Sequence, residues 1–211
     1  MPNGIVSVGD DLWIAQGQVL YRFDPVEGAI LARHPLDTLV RDLCTDGKLL
    51  YALDYGWTAG KPILAIDPAT GGSVRTIVTE ANLKNKASGA AGIAWRDGRL
   101  WVLEGMQGLV HEVDPQSGAV ARSVDCGARW LSGLATDGTR LWTASRTELL
   151  RLDPDKAAID RRVAVNYPVR ALAAKGPALY IMEQLVFGHD KEHKSVRLWP
   201  KTTHIHKLSL P

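Results

Sequence analysis

A repeat of about 40 residues runs through the chain and restricts its possible folds more than any other feature. Each copy has a Leu-Trp or Leu-Tyr step in an apolar strand, then a strand that ends in Asp-Pro. The aromatic step occurs at Leu12-Trp13, Leu50-Tyr51, Leu100-Trp101, Leu141-Trp142 and Leu179-Tyr180. The Asp-Pro step occurs at Asp24-Pro25, Asp67-Pro68, Asp114-Pro115 and Asp153-Pro154, with Trp199-Pro200 as an altered fifth copy. Because this period is the length of one four-stranded blade, the repeat predicts an all-β, five-bladed β-propeller.

The turns and the residue alternation support strands rather than helices. Asp-Gly steps at 46–47, 97–98 and 137–138 lie between apolar runs and supply the positive φ of tight hairpins. Apolar and charged residues alternate before the Asp-Pro steps, which is the period of a strand. The Asp-Pro turns carry a glycine at Gly28, Gly71 and Gly118, but the fourth has Ala157. That turn is therefore predicted to be either strained or rebuilt.

The repeats divide the chain into one domain, residues 1–211, of four-stranded antiparallel blades. We place the blades at about 4–36, 37–80, 88–126, 129–166 and 167–210, the last closing with Thr203–Leu210 as its outermost strand. The first and last strands each belong to a complete repeat, so we expect that neither end of the chain supplies a strand to the blade at the other end. We expect blades one and five to pack without backbone hydrogen bonds, through Ile5, Val6, Leu172 and Ile181. The alternative is a five-repeat piece of a larger ring.

Composition argues against several classes of partner. The formal net charge is only +2 and gives no argument for the basic face that such partners require, so we expect neither a nucleic-acid nor a membrane partner. No apolar run approaches the roughly 20 residues of a spanning helix, and no signal peptide is recognisable. The compartment stays open, and we expect a monomer. Cys44 and Cys126 fall in different repeats and are predicted to be free thiols.

Two strings resemble a known group of propellers. Asp97-Gly-Arg-Leu-Trp-Val-Leu-Glu and Val113-Asp-Pro-Gln-Ser-Gly are similar to the repeat of streptogramin lyase-like and NHL-type propellers. The resemblance covers nearly the whole chain and implies blades, on which lyases, lactonases, sensor domains and scaffolds are all built. The lyase's His/Glu catalytic group and the Glu, Asn and Asp metal ligands of gluconolactonase-like propellers have no counterpart here. The resemblance therefore favours neither enzyme.

The candidate site lies on the top face, which we define as the face with the second-to-third-strand turns and the connections between blades. Its loops are longer and more variable than the bottom turns, and function usually resides in such loops. The ends of the second strands carry Gln16, Asp54, Glu104, Ser145 and Glu183. The starts of the innermost strands carry Arg41 and Arg170, with Asp42, Arg129 and Trp130 nearby. These groups either hold a polar ligand or pair with one another between blades; we predict that Arg41 and Arg170 pair with Asp54, Glu104 or Glu183.

Aromatic residues and histidines provide further candidates. Aromatic residues outside the repeat fall on predicted top loops, where they form either a recognition surface or packing between blades: Tyr55, Trp57, Trp130, Tyr167 and Phe187. Histidines cluster in the last repeat at His189, His193, His204 and His206, but neither pair completes a tetrahedral metal site. His111 occupies an apolar repeat position and is predicted to be a hydrogen-bonded core residue.

The leading functional hypothesis is a non-enzymatic binding or scaffold propeller. It would recognise a small polar ligand, a peptide or a protein through Arg41, Asp42, Asp54, Trp57, Glu104, Arg129, Trp130, Arg170 and Glu183. The first alternative is a lyase or lactone hydrolase that uses the top-face acids. The second is a sensor domain of a larger protein. We assign no catalytic residue, metal ligand or cofactor from the sequence.

Overall fold

The computed structural model describes residues 2–54, 63–79, 90–183, 188–189, 195–196 and 205–209, and these form a β-propeller. Four blades are four-stranded antiparallel sheets whose strands follow chain order from the axis outward. Their strands are β1 (Pro2–Val8), β2 (Asp11–Gln16), β3 (Val19–Asp24) and β4 (Ala29–Pro35); β5 (Val40–Thr45), β6 (Leu50–Asp54), β7 (Ile63–Ile66) and β8 (Ser73–Ile77); β9 (Ala90–Arg96), β10 (Arg99–Glu104), β11 (Leu109–Val113) and β12 (Val120–Asp125); β13 (Ser132–Thr136), β14 (Leu141–Ser145), β15 (Glu148–Asp153) and β16 (Ala158–Ala164).

The fifth blade differs from the other four. It contains β17 (Val169–Lys175), β18 (Ala178–Glu183) and β21 (Ile205–Ser209), and β21 pairs directly with β18. The prediction that the last strand is the outermost of four is therefore wrong, since β21 takes the third position. β19 (Gly188–His189) and β20 (Ser195–Val196) pair with each other as a separate two-stranded ribbon. Twenty-one residues, which include β19 and β20, separate β18 from β21, whereas two to four residues separate the second and third strands of blades one, three and four.

The repeated aromatic residues occupy equivalent positions in the second strands, as predicted. Trp13, Tyr51, Trp101 and Trp142 are at most 3% exposed, and Tyr180 is half-buried. Each of the four buried rings belongs to a hydrophobic cluster between its own blade and the next. The repeat therefore specifies the packing between blades as well as the blades themselves.

The Asp-Pro turn of blade four is strained rather than rebuilt. Ala157 has φ 51°, close to the φ of 76° at the equivalent Gly118. An L-residue with a Cβ rarely adopts this conformation, which costs roughly 1–2 kcal/mol relative to the right-handed region. The fourth repeat thus keeps the backbone of the turn without the residue that favours it.

Blades one and five meet through side chains. Among the described residues, no backbone ladder joins their sheets, as we predicted. A small apolar cluster fills the seam and consists of Ile5, Leu12, Ala171, Ala173 and Met182. Of the four residues expected there, Ile5 lies in the seam, whereas Val6, Leu172 and Ile181 pack in the clusters on either side.

No helix among the described residues could cross a membrane.

Candidate functional site

Hydrogen bonds hold the connections between blades to the preceding top turns. In each of three blades, two backbone N–H groups of the connection donate to carbonyls of the turn between the second and third strands. The bonds run from Leu36 to Gln18 and Val40 to Gly17, from Cys126 to Gly108 and Leu131 to Gly105, and from Val165 to Thr147 and Val169 to Arg146. This part of the top face is therefore a rigid scaffold, because each connection is attached near both its ends.

The three acids at the strand ends do not share one site. Asp54 accepts a hydrogen bond from the Thr38 hydroxyl of the preceding connection, between β4 and β5. The other two acids each lie next to a histidine of their own blade. Glu104 Oε2 is 3.6 Å from His111 Nε2, and Glu183 Oε2 is 3.3 Å from His206 Nε2.

These two acid–imidazole pairs are structurally equivalent. His111 lies opposite Val102, two residues before Glu104, and His206 lies opposite Ile181, two residues before Glu183. The sequence did not suggest this equivalence, because His206 comes much later in its repeat, and only the direct pairing of β21 with β18 places it in the third strand.

The surroundings of the two pairs differ. His111 is 7% exposed and its Nδ1 is 2.8 Å from the Ser123 hydroxyl, which confirms the predicted hydrogen-bonded core histidine. His206 is half-buried and stacks on Tyr167 at 3.8 Å between ring centroids. Burial, with a smaller contribution from the charge of Glu183, raises the pKa of Tyr167.

The two arginines of the inner strands do not bind the acids as a matched pair. The guanidinium of Arg170 donates to Asn3 Oδ1 at 2.9 Å and thereby joins blade five to blade one. The acid partner expected for Arg170 is therefore replaced by an amide. Arg41 lies next to Asp42 and acts on its pKa, and its own pairing stays a prediction.

Trp130 is the large apolar side chain that the described top face exposes most. It is 67% exposed and has φ 59°, in the left-handed region that non-glycine residues rarely adopt. Beside it, Arg129 binds both carboxylate oxygens of Asp125, at 2.8 and 3.1 Å. These bonds lower the pKa of Asp125. The remaining predicted anchor, Trp57, lies outside the described residues, as do Tyr55 and Phe187.

Asp42 lies inside the propeller rather than on the top surface. It is 0% exposed, and its Oδ2 accepts the backbone N–H of Ile93 at 3.1 Å and of Leu134 at 3.3 Å. Burial raises the pKa of Asp42 to about 8, although the three nearby backbone amides and the Arg41 guanidinium act in the opposite direction. Its Oδ1 is also buried, without a hydrogen-bond partner among the described residues.

A cavity of about 170 Å³ lies along the propeller axis on the bottom-face side of Asp42, which is not one of its lining residues. Three consecutive residues of every inner strand line it, namely those of 5–7, 43–45, 93–95, 134–136 and 172–174. The candidate site predicted from the sequence lies on the opposite face, and no prediction included this cavity. A signal was nevertheless available, because the residue nine positions before each repeat aromatic is Gly4, Asp42, Gly92, Gly133 or Ala171. Asp42 is thus the one acid among these five equivalent positions, and the other four hold Gly or Ala.

The described residues offer little support for a metal site or a reactive cysteine. No group of three or more His, Cys, Asp or Glu residues among the described residues could hold a metal ion. Cys44 and Cys126 are buried free thiols, as predicted. Burial raises the pKa of Cys126 to about 12, so its reactive thiolate form is suppressed at neutral pH.

Comparison with known proteins supports the fold alone. Neither a protein-family model nor a curated protein sequence matches the chain. A glutaminyl cyclase of Myxococcus xanthus is structurally similar, with a TM-score of 0.71 and 12% identity over 85% of this chain and 84% of that one. Hydrazine synthase of Kuenenia stuttgartiensis has a TM-score of 0.56 and 12% identity over 99% of this chain and 66% of that one. A chain of a mitotic checkpoint complex has a TM-score of 0.52 and 14% identity over 86% of this chain and 57% of that one.

Proposed function

We propose that this protein is a binding propeller that recognises a peptide or a protein partner through its top face, with Trp130 as the anchor. The observation that carries the proposal is an exposed ring on a fixed backbone. Trp130 is 67% exposed, and hydrogen bonds from Cys126 and Leu131 to the β10–β11 turn hold its connection on both sides. Because such a ring loses little conformational entropy on binding, tryptophan is enriched at binding hot spots.

The groups around Trp130 suit a mixed apolar and charged contact. Arg129 is oriented by its two bonds to Asp125 and carries further N–H donors. Met106, which is 36% exposed, lies in the turn that accepts the hydrogen bond from Leu131. Aromatic, methionine and arginine side chains are the residues enriched in protein interfaces, whereas acids are depleted.

A displayed library of random peptides tests this proposal. Selection on the wild-type protein is expected to enrich peptides that bind Trp130→Ala at least roughly thirtyfold more weakly, the effect of a hot-spot residue of about 2 kcal/mol. The matched control is Val26→Ala on the bottom face, since Val26 is an apolar side chain 86% exposed. Peptides that bind Trp130→Ala as tightly as the wild type, or no enrichment at all, would contradict the proposal.

The second candidate is an enzyme of the lyase or lactone-hydrolase kind, and the buried Glu104–His111 pair is the observation that favours it. Both residues are 7% exposed, and a carboxylate beside an imidazole is a common arrangement for general acid–base catalysis. Turnover of a panel of lactones by the wild type, reduced about 10²- to 10⁴-fold in Glu104→Gln, would support this function. Glu27→Gln, an exposed carboxylate on the bottom face, is the control. Absence of turnover, or equal rates in both variants, would exclude it for these substrates.

A further inference from the structure

The outer edge of β21 (Ile205–Ser209), which we call the β21 edge, occupies the place where the other four blades carry a fourth strand. In those blades the fourth strand has five to seven residues and pairs with the third strand. Among the described residues, β21 pairs with β18 alone. Because a strand directs the N–H and C=O groups of alternate residues to its two sides, some of those of β21 point to this edge. Such an edge is a template for a further strand.

The bottom turn of blade one borders open space next to the β21 edge. In other blades this turn contacts the fourth strand of the preceding blade. A Cβ built on Gly71 would lie 2.5 Å from the Cβ of His34, and Arg122 donates to the carbonyl of Pro154. A Cβ built on Gly28, the equivalent of Gly71 in blade one, would meet nothing within 4 Å among the described residues. A strand on the β21 edge would therefore have room beside this turn.

The side of blade one that faces this space is apolar and partly exposed. Ile30 lies opposite Phe23 and is 50% exposed. Val120 and Ile159, at the equivalent points of blades three and four, pack against the cluster that each blade shares with the preceding one. On blade five, Tyr180 is only half-buried, unlike the other repeat aromatics. A strand bound between these surfaces would therefore bury apolar area on both of them.

Two cations lie on the facing sides of blades five and one. Lys207 lies opposite Tyr180, with its Nζ 6.0 Å from the ring centroid. Arg33 lies opposite Tyr21, with its guanidinium carbon 5.7 Å from that ring centroid. Neither cation forms an ion pair with an acid of the described chain. Since opposite charges directly across two strands attract, the residue of a bound strand opposite Lys207 is expected to be acidic.

The other blades indicate which side chain belongs two residues later. In β8 and β12, Arg75 and Arg122 stand in the row of the repeat aromatic. The residues two positions after them, Ile77 and Val124, are 3% and 5% exposed and pack toward the next blade. On the β21 edge this position lies opposite Ile205. A strand that fits the edge therefore has an acid and, two residues later, an apolar side chain.

We propose that the β21 edge binds an extended segment of a partner protein as the fourth strand of blade five, with an acid opposite Lys207 and an apolar residue opposite Ile205. In such strand addition, backbone hydrogen bonds supply affinity and alternate side chains supply specificity.

Two other occupants would bring cations to Lys207. Each described outer strand of blades one to four carries at least one arginine, so an outer strand of a second copy would bring a like charge. Residues 197–204 of this chain lie outside the described residues; they include Arg197 and Lys201 and no acid. Charge therefore favours a segment of a different protein.

A displayed library of random heptapeptides, selected on the Trp130→Ala variant, tests the proposal away from the top-face anchor. Enriched peptides are expected to contain Asp or Glu followed two residues later by an apolar residue. Their affinity, measured by fluorescence anisotropy, should fall about tenfold in Lys207→Glu, because an attractive cross-strand pair becomes repulsive. Lys48→Glu, an exposed lysine on blade two, is the matched control. No enrichment, or equal affinity in both variants, would contradict the proposal.

The apolar contact has its own pair of variants. Ile30→Ala should weaken the enriched peptides about threefold, since part of the buried apolar area is lost. Val74→Ala, which changes a 59% exposed residue of β8, should leave their affinity unchanged. Equal effects of the two substitutions would mean that the peptides bind elsewhere.

Backbone methylation distinguishes an added strand from a contact made by side chains alone. Two versions of an enriched peptide carry N-methyl groups on alternate amides, one on the odd and one on the even positions. Because only alternate N–H groups of a strand face its neighbour, one version should lose binding and the other keep it. If both versions bind equally or both fail, strand addition is wrong.

Amide exchange resolved by residue with NMR identifies the occupant. In the free protein, the β21 amides that point to the edge should exchange rapidly, and an enriched peptide should slow them on the order of tenfold or more. Protection of every β21 amide in the free monomer would mean that this chain fills the edge itself. Protection that appears only as a dimer forms would mean that a second copy does. Either result would overturn the proposal.

Discussion

The interface between blades three and four and the seam between blades five and one are built from the same repeat positions but differ in content. The first contains Trp101 at its centre with eleven further buried apolar residues, whereas the seam contains five, two of them alanines. At the position of Trp101 the seam has Tyr180, which is only half-buried. Since hydrophobic stabilisation follows the apolar area buried, the ring is expected to be weakest at the seam.

Asp42 increases this asymmetry. Its carboxyl group extends from blade two and accepts amides of blades three and four. Blades one and five receive no such bond from it, and their polar connections are Arg170 to Asn3 and Lys175 to Asp10. The comparison indicates that the interfaces of a closed ring can differ in stability, because one side chain near the axis joins blades two, three and four and not blades one and five.

The largest expected effect comes from removing the aromatic residue of each interface. Trp101→Ala should lower the free energy of unfolding by about 3–5 kcal/mol, the usual cost of a large cavity in a core. Tyr180→Ala should cost about 1–2 kcal/mol because much of its ring already contacts solvent. Urea denaturation measures both. Equal losses would show that the seam is as well packed as the blade three–four interface.

The carboxyl group of Asp42 should make stability depend on pH. Its pKa is about 8 in the folded protein, against an ordinary value of 3.8, so the folded state holds a proton that the unfolded state has released. Its contribution is thus fully present below pH 4 and is lost as pH rises toward 8, by up to about 1.4 kcal/mol per pH unit. Asp42→Asn should flatten this slope in urea denaturation at pH 5, 6, 7 and 8, whereas Glu27→Gln should not. An unchanged slope in Asp42→Asn would contradict the assignment.

Hydrogen exchange tests whether the seam opens before the rest of the ring. Amides of the inner strands β1 and β17 are expected to exchange on the order of tenfold faster than those of β9, because the smaller cluster opens at lower free energy. Mass spectrometry of peptic fragments resolves these segments. Equal protection around the ring would mean that contacts outside the described residues seal the seam.

The smallest expected effect concerns the hydrogen bond from Arg170 to Asn3 across the seam. Arg170→Ala should cost about 0.5–1.5 kcal/mol, the net value of a typical hydrogen bond, and should further increase exchange in β1 and β17. Arg162→Ala is the matched control, since Arg162 pairs with Glu148 within blade four on the exposed surface. If both variants exchange alike in β1 and β17, the bond does not hold the seam.

Much of the fold was predictable because its signals are local. The spacing of the aromatic and Asp-Pro steps predicted five blades. The glycines at the same point of the other repeats left the Ala157 turn as either strained or rebuilt, and the structure showed the strained, left-handed backbone. The inner-strand position of Asp42 was also predictable, but its role was not, since in the sequence it is one of several polar residues predicted for the top face.

The sequence by itself determined the number of blades, the aromatic residue of each repeat and the single acid among four small residues around the axis. Only the tertiary structure decided which groups meet. It brought His206 beside Glu183, gave Arg170 an amide rather than an acid as its partner, and buried Asp42 between the inner strands, above the axial cavity. The physical reason is that turns and alternation depend on neighbouring residues, whereas these contacts join strands 23 to 167 residues apart once the ring closes.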